Sequence, residues 1–321
     1  MKNKIIIISG DPNSINSELI FKVWKKINKN LKKRIYIISN FNLIKSQFKK
    51  LNFNYKIIKK SGDLDDESDK LKIINIDLKF KNPFSVSRLE SSKFVRKSLD
   101  IAHDYSLNNQ YVQGIINCPL NKKLLNKKKI GVTEYLASKC GLKNSSEVML
   151  IKSKKLAVSP ITTHIDVKEV NKKINKNLIR KKIETINFWY KKFLKKKPKI
   201  GILGLNPHNA ELRKSSEEKK IIIPTIKKLK KKKINVHGPL VSDTIFINDY
   251  KNFDVIVGMY HDQVLSPFKA IFKFDAINIT LGLKYFRVSP DHGTATNIIN
   301  KNKGDETSLL KCIEFISKLK K

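Results

Sequence analysis

Six histidines occur in the chain, and three of them, His164, His208 and His261, sit in one repeated context. A largely apolar run precedes each, residues 156–163, 200–207 and 255–260. Each imidazole therefore falls just past the carboxyl end of a predicted strand, the rim at which open α/β sheets bind ligands. Strands of one parallel sheet point the same way, so three rings far apart in sequence can converge there. Three imidazoles that leave a coordination position open are one way to build a catalytic metal centre. A single histidine in a loop is more often a capping or surface residue; it is the threefold repetition of context that carries the metal expectation. The others divide differently. His103 lies in a helical stretch and reads as structural, His237 precedes Gly238-Pro239 and reads as a turn residue, and His292 belongs to a separate motif.

Polar residues gather around the third histidine. Asp262 and Gln263 follow it, Lys269 lies further along the same stretch, and Asn278 and Arg287 come within and after the next predicted strand. A lysine and an arginine with an asparagine suit a small substrate carrying phosphate and carboxylate. Lys269 alone means little in so lysine-rich a chain, whereas arginine is scarce and Arg287 is the more telling cation.

These residues need a scaffold, and the pattern supplies one. Residues 5–8, 34–38, 112–116, 147–151, 199–203, 254–257 and 276–279 read as strands, being short and β-branched. Residues 17–27, 87–103, 167–193 and 224–232 read as helices, and 305–319 places Leu309, Cys312, Ile313, Ile316 and Leu319 on one stripe. The polar stretch 61–70 reads as an exposed loop. Strand-helix alternation of this kind predicts an α/β protein with a largely parallel, doubly wound sheet. No internal repeat or long linker interrupts it.

Composition bounds the partners. At 321 residues with 40% hydrophobic content, the chain can bury a sizeable core. The opening apolar run, residues 5–8, is too short for a signal peptide and meets the turn Gly10-Asp11-Pro12. No apolar run approaches the roughly 20 residues that would span a membrane. Three widely spaced cysteines, Cys118, Cys140 and Cys312, argue against a disulfide framework and for a reducing, cytoplasmic setting. The net charge of +39 invites a nucleic-acid partner. The excess is mostly lysine in short runs, accompanied by much Asn and Ile, and arginine-aromatic interleaving for base stacking is absent. A compositionally biased surface is the better account, and nucleic acid is not expected as a partner.

The segment 254–296, DVIVGMYHDQVLSPFKAIFKFDAINITLGLKYFRVSPDHGTAT, closely resembles the C-terminal signature of the 4-hydroxythreonine-4-phosphate dehydrogenases. Gly204-Leu205-Asn206-Pro207-His208 and Thr162-Thr163-His164 look like the other two metal-ligand motifs of that family. Gly238-Pro239-Leu240 with Asp243-Thr244, Gly131 to Glu134, and Gly10-Asp11-Pro12 with Glu18 also match in order, so the resemblance runs nearly the whole chain. Three departures stand out. Val132 occupies the place of a family histidine before Thr133-Glu134. Residues 11–18 and residues 209–214 replace glycine-rich runs with Asn, Ser, Ala, Glu and Leu, and those residue types resist conformations that glycine adopts freely.

The resemblance implies a two-domain fold of the isocitrate and isopropylmalate dehydrogenase type. One α/β domain, 1–130 plus 288–321, would carry both termini; the other, 131–287, would carry metal and substrate residues and a homodimer interface at the active site. His164, His208 and His261 would hold a divalent metal (Zn, Mg or Co), and Thr133, Lys269, Asn278 and Arg287 would bind a small phosphorylated hydroxy acid. Asp291, His292, Gly293, Thr294 and Ala295 would contact NAD, with NADP the alternative; no GxGxxG fingerprint occurs. The implied reaction is metal-assisted oxidation of the substrate's secondary hydroxyl, with Asp243 or Asp262 as base. Two rival expectations are a relative acting on another phosphorylated hydroxy acid or a cyclic diol, and a basic nucleic-acid-binding protein without catalysis.

Overall fold

Residues 3–125, 131–142, 147–273 and 275–319 are described by the computed structural model. Two units divide the chain, residues 1–141 with 283–319 and residues 142–282. The domain break expected at residue 130 lies outside the described residues.

In the first unit the strands are β1 (Lys4–Ile8), β2 (Ile35–Ser39), β3 (Ile57–Lys60), β4 (Leu71–Asn75), β5 (Val112–Asn117) and, late in the chain, β12 (Arg287–Pro290). Their order is β3-β4-β2-β1-β5-β12, and every neighbouring pair is parallel. A parallel sheet buries both faces, so its central strands need continuous apolar runs rather than alternation. Ile5 to Ile8 meet that need, all of them at most 2% exposed. Side-chain oxygens start the helices: Asn40 accepts from the Leu43 amide ahead of Phe41–Lys50, and Ser87 from the Glu90 amide ahead of Arg88–Asn108. In the C-terminal helix Thr307–Lys318 the predicted stripe of Leu309, Cys312, Ile313 and Ile316 is buried.

The second unit holds β6 (Val148–Lys152), β7 (Ala157–Pro160), β8 (Ile200–Leu203), β9 (Val236–Leu240), β10 (Val255–Gly258) and β11 (Ile277–Leu281), in the order β11-β6-β7-β10-β8-β9. From β7 to β9 all pairs are parallel, while β6 runs antiparallel to both its neighbours. Val158, Leu203, Ile256, Val264 and Phe268 join the core of this unit. Two expectations are corrected here. The helix expected over 167–193 is interrupted: the chain extends at Ile174, and Asn175 caps a new helix, Lys176–Phe193, by accepting from the Leu178 amide. His237 is not in a turn but in β9, at the edge of the strand order, where Pro239 with its missing N–H can be accommodated.

One buried cluster in the first unit is polar. Tyr36 faces Lys72 across β2 and β4, and the Lys72 ammonium lies 5.1 Å from the centre of its ring. Lys4 approaches the same ring at 5.6 Å and pairs with Glu67 at 3.0 Å. Lys72 donates to the carbonyls of Lys32 and Ser68 at 3.0 and 2.7 Å. Burial pushes its pKa from the ordinary 10.5 down to about 8, because the charged form loses its water. Between those two values the unfolded chain still binds a proton that the folded chain has released. Stability should therefore rise with pH from about 8 towards 10.5, and the contribution disappears as pH falls through 8. Urea unfolding across this window checks the sign. Lys72→Met should flatten the slope, and an unchanged slope would assign the pH dependence to another group.

Candidate functional site

The three histidine-bearing loops leave adjacent strands. β10 lies between β7 and β8, with Gly258 opposite Pro160 and Val257 opposite Ile202, so the three carboxyl ends fall level. Neighbouring strands are about 4.8 Å apart, which puts the outer two roughly 10 Å from each other. His164 follows β7, His208 follows β8, and His261 opens the helix His261–Phe272 directly after β10.

Within this row the structure forms two groups. The rings of His164 and His261 lie 5.8 Å apart, tilted by 35°. With Thr162, Thr163, Tyr260 and Asp262 they border a cavity of about 180 Å³. His261 Nδ1 stands 2.6 Å from Asp262 Oδ1. His208 instead faces Asp243, with Nε2 3.6 Å from Oδ2, and both side chains are more than half exposed. Among the described residues no set of three His, Cys, Asp or Glu side chains stands close enough to hold a metal ion. The donor chemistry nevertheless fits one: a carboxylate on Nδ1 fixes a histidine's tautomer and leaves Nε2 as the ligand atom. Asp262 is placed for that orienting role, and Asp243 is placed beside a candidate ligand as a base would be.

Glu218 anchors the turn that carries His208. This carboxylate is fully buried, and its Oε1 accepts from the amides of Leu205 and Asn206 at 2.8 and 2.9 Å. Burial alone would raise its pKa, but the Asn206 and Leu205 donors outweigh it and hold the carboxyl below the usual range. Beyond Pro207 the backbone turns left-handed, with φ of 48°, 56°, 50° and 42° at His208, Asn209, Ala210 and Glu211. L-residues there cost about 1–2 kcal/mol each. Asn209 offsets part of the cost by donating to the Pro239 carbonyl at 3.2 Å.

Lys269 is exposed on the helix that His261 begins, two turns beyond Asp262 and on the same stripe. Asn278 lies in β11 opposite Ile151, and its Oδ1 is buried without a partner. In the first unit, Arg287 of β12 is 3% exposed; its Nε donates to Asn117 Oδ1 at 2.5 Å and its Nη1 to Thr133 Oγ1 at 3.4 Å. Burial pushes its pKa down to about 10, so it stays cationic at neutral pH. Asn117, at the carboxyl end of β5, has no place in the sequence expectations, although a polar residue closing an apolar strand is a signal for it. Val132 packs against the apolar core of this unit.

Asp291 to Ala295 follow β12, also in the first unit. The Asp291 amide donates to Ser308 Oγ at 3.0 Å, and His292 Nδ1 lies 2.9 Å from the Gly293 carbonyl. The Thr294 carbonyl accepts from the Ile15 amide at 3.4 Å, joining this loop to residues 11–18. His292 Nε2 is buried without a partner, as are Ser9 Oγ, Asn16 Oδ1 and Ser17 Oγ. An added Cβ at Gly293 would meet only open space, so its backbone is approachable. Unused polar atoms around an open backbone fit a polar cofactor.

A family model described as pyridoxal phosphate biosynthetic protein PdxA matches residues 13–316. A 4-hydroxythreonine-4-phosphate dehydrogenase of Sulfurihydrogenibium sp. is 38% identical over 99% of this chain and 98% of its own length. Among solved structures, a 4-hydroxythreonine-4-phosphate dehydrogenase from Klebsiella pneumoniae aligns with a TM-score of 0.84 at 25% identity, over 99% of this chain and 98% of that one. An isocitrate dehydrogenase from Methylococcus capsulatus, 12% identical with a TM-score of 0.50 over 98% of this chain and 85% of that one, shares the fold.

The left-handed turn makes an opposed pair of predictions. Ala210→Gly should stabilise the protein by about 1 kcal/mol, because glycine relieves more strain there than it adds in unfolded-chain entropy. Glu218→Gln should destabilise it by about 1–3 kcal/mol, since an amide cannot accept from the Leu205 and Asn206 donors as a carboxylate does. Urea unfolding measures both, and a destabilised Ala210→Gly would contradict the left-handed geometry.

Proposed function

The chain belongs to the family of pyridoxal phosphate biosynthetic protein PdxA, and from that membership we propose that it oxidises 4-phosphohydroxy-L-threonine using NAD and a divalent metal. Dehydrogenase chemistry comes with the family. The proposed product is 2-amino-3-oxo-4-phosphooxybutanoate, a β-keto acid that loses carbon dioxide to give 3-amino-2-oxopropyl phosphate in vitamin B6 synthesis. The observation that supports this most is the row of three histidines on the level carboxyl ends of β7, β10 and β8.

His164, His208 and His261 would hold the metal, and imidazole donors suit Zn or Co better than Mg. When bound, the metal supplies Lewis-acid polarisation of the substrate hydroxyl. Asp243, beside His208, would take the hydroxyl proton, and NAD, when bound, would supply the hydride acceptor. Asp262 holds His261 in one orientation. Arg287, kept cationic and steered by Asn117 and Thr133, would bind an anionic end of the substrate; Lys269 would be a second substrate cation. Asn278 Oδ1 is a buried acceptor available to a substrate N–H or O–H. His292 and the open backbone of Gly293 would receive the adenosine part of NAD. A homodimer and a cytoplasmic location are part of the same proposal: all three cysteines are free and buried, which suits a reducing compartment. No helix among the described residues is long and apolar enough to cross a membrane.

Val132 favours a second reading within the family. Packed on the apolar core, it offers no hydrogen bond to a substrate, so a related phosphorylated hydroxy acid such as erythronate phosphate is the alternative.

The test is NADH formation from 4-phosphohydroxy-L-threonine with added metal and a chelated control. Turnover should require the metal, His208→Ala should abolish it while the fold persists, and Asp243→Asn should lower kcat by about 10²–10⁴-fold. Full activity and metal content in His208→Ala would remove the metal assignment. Faster turnover of erythronate phosphate would move the assignment to the second reading.

A further inference from the structure

Gln263 is 9% exposed, and its side-chain amide makes three hydrogen bonds. Oε1 accepts from the Met259 amide at 2.7 Å, and Nε2 donates to the Gly204 carbonyl at 2.7 Å and to Ser242 Oγ at 2.8 Å. The partners are not incidental. Met259 lies two residues before His261, Gly204 four before His208, and Ser242 directly before Asp243. The Met259 carbonyl in turn accepts from both the amide and the hydroxyl of Thr162, at 3.1 and 2.7 Å, two residues before His164. One amide thus meets three of the four loops directly, and the fourth through a single residue, Met259.

The chemistry of the hub is restrictive. Met259 offers an N–H and needs an acceptor, whereas Gly204 offers a carbonyl and needs a donor, so the residue between them must do both. Gly258 leaves the space: a Cβ there would stand 2.9 Å from Gln263 Oε1. Methionine has neither function, and an ionised glutamate keeps the acceptor but sets a carboxylate against the Gly204 carbonyl.

We propose that Gln263 is the positioning residue of this site, setting the spacing of the loops that carry His164, His208, His261 and Asp243. The hydrogen bonds alone tie the loops; the consequence for catalysis rests on the metal reading above. With its amide committed to Met259, Gly204 and Ser242, Gln263 acts through the loops it ties.

Two variants test this in the full-length protein, Gln263→Met and Gln263→Glu, read by imidazole resonances of ¹⁵N-histidine-labelled, metal-free protein and by zinc affinity in competition with a chelating dye. In Gln263→Met the resonances of His164, His208 and His261 should all move while His103, in the other unit, stays. Zinc affinity should fall about 10–100-fold, the usual cost of losing support behind ligands. In Gln263→Glu the His208 resonances should move most, because the Met259 contact survives and the Gly204 contact does not. Unmoved rim histidines, or movement of His261 alone, in whichever variant folds would overturn the proposal. His208→Ala separates the two levels. If wild-type protein takes up no zinc, or His208→Ala takes it up equally well, the metal reading fails, and the resonances alone then decide whether Gln263 positions the loops.

Discussion

Where parallel strands end level, the ladder can no longer pair the next peptide groups, and each buried amide or carbonyl left over costs free energy unless something satisfies it. The loops after β7, β8 and β10 are organised by that deficit. The Met259 carbonyl is satisfied by Thr162 and the Met259 amide by Gln263. The Leu205 and Asn206 amides are satisfied by Glu218, and the Gly204 carbonyl by Gln263. Side chains that answer backbone needs thereby decide where His164, His208 and His261 leave the sheet. The placing of the three histidines is a consequence of hydrogen-bond accounting at a sheet rim.

A different solution operates in the first unit, where the charge itself is buried. Arg287 is buried on a strand, where it donates to the oxygens of Asn117 and Thr133. Taking a guanidinium out of water is costly, and its lowered pKa registers that cost. The Glu134 charge favours the cationic form, and the Asn117 and Thr133 oxygens orient it. Lys72 shows the contrast. It is buried in the same unit but held by two carbonyls and an aromatic face, an arrangement that binds the ammonium in place.

Much of this was legible in the sequence, for identifiable reasons. Isoleucine-rich runs such as 5–8 announce strands buried on both faces, and the repeated apolar-run-then-histidine context locates a rim because parallel strands share a direction. Other features carry no local signal. β3 and β4 are short, with lysines inside them, and Lys72 is buried although a lysine ordinarily marks a surface position. His237 reads as a turn residue because Gly-Pro usually marks one, yet an edge strand tolerates the same pair. The helix expected over 167–193 breaks because a periodic apolar stripe does not reveal that Asn175 will cap a fresh helix. Gln263 and Glu218 are invisible as positioning groups, since most of their partners are backbone atoms, of residues 4 to 59 positions away.

The two loops that lack glycine follow from the same accounting. Where glycine would supply conformational freedom, this chain uses asparagine and serine, whose side chains hydrogen-bond to nearby backbone and stabilise turns. Asn13 both accepts from the Val86 amide and donates to its carbonyl, and Ser14 donates to the Asp11 carbonyl. Asn16 donates to the carbonyls of Ser9 and Pro119, close to where a Cβ on Gly10 would collide. Asn209 does the same for the left-handed turn after Pro207. A glycine loop holds its shape by being able to reach it; an asparagine loop holds it by being tied into it. The second kind keeps its polar atoms partly committed, and Asn16 and Ser17 retain only Oδ1 and Oγ without a hydrogen-bond partner. The abundance of asparagine in this chain is thus compatible with an ordered site, because the residues that replace flexibility also provide the bonds that make flexibility unnecessary.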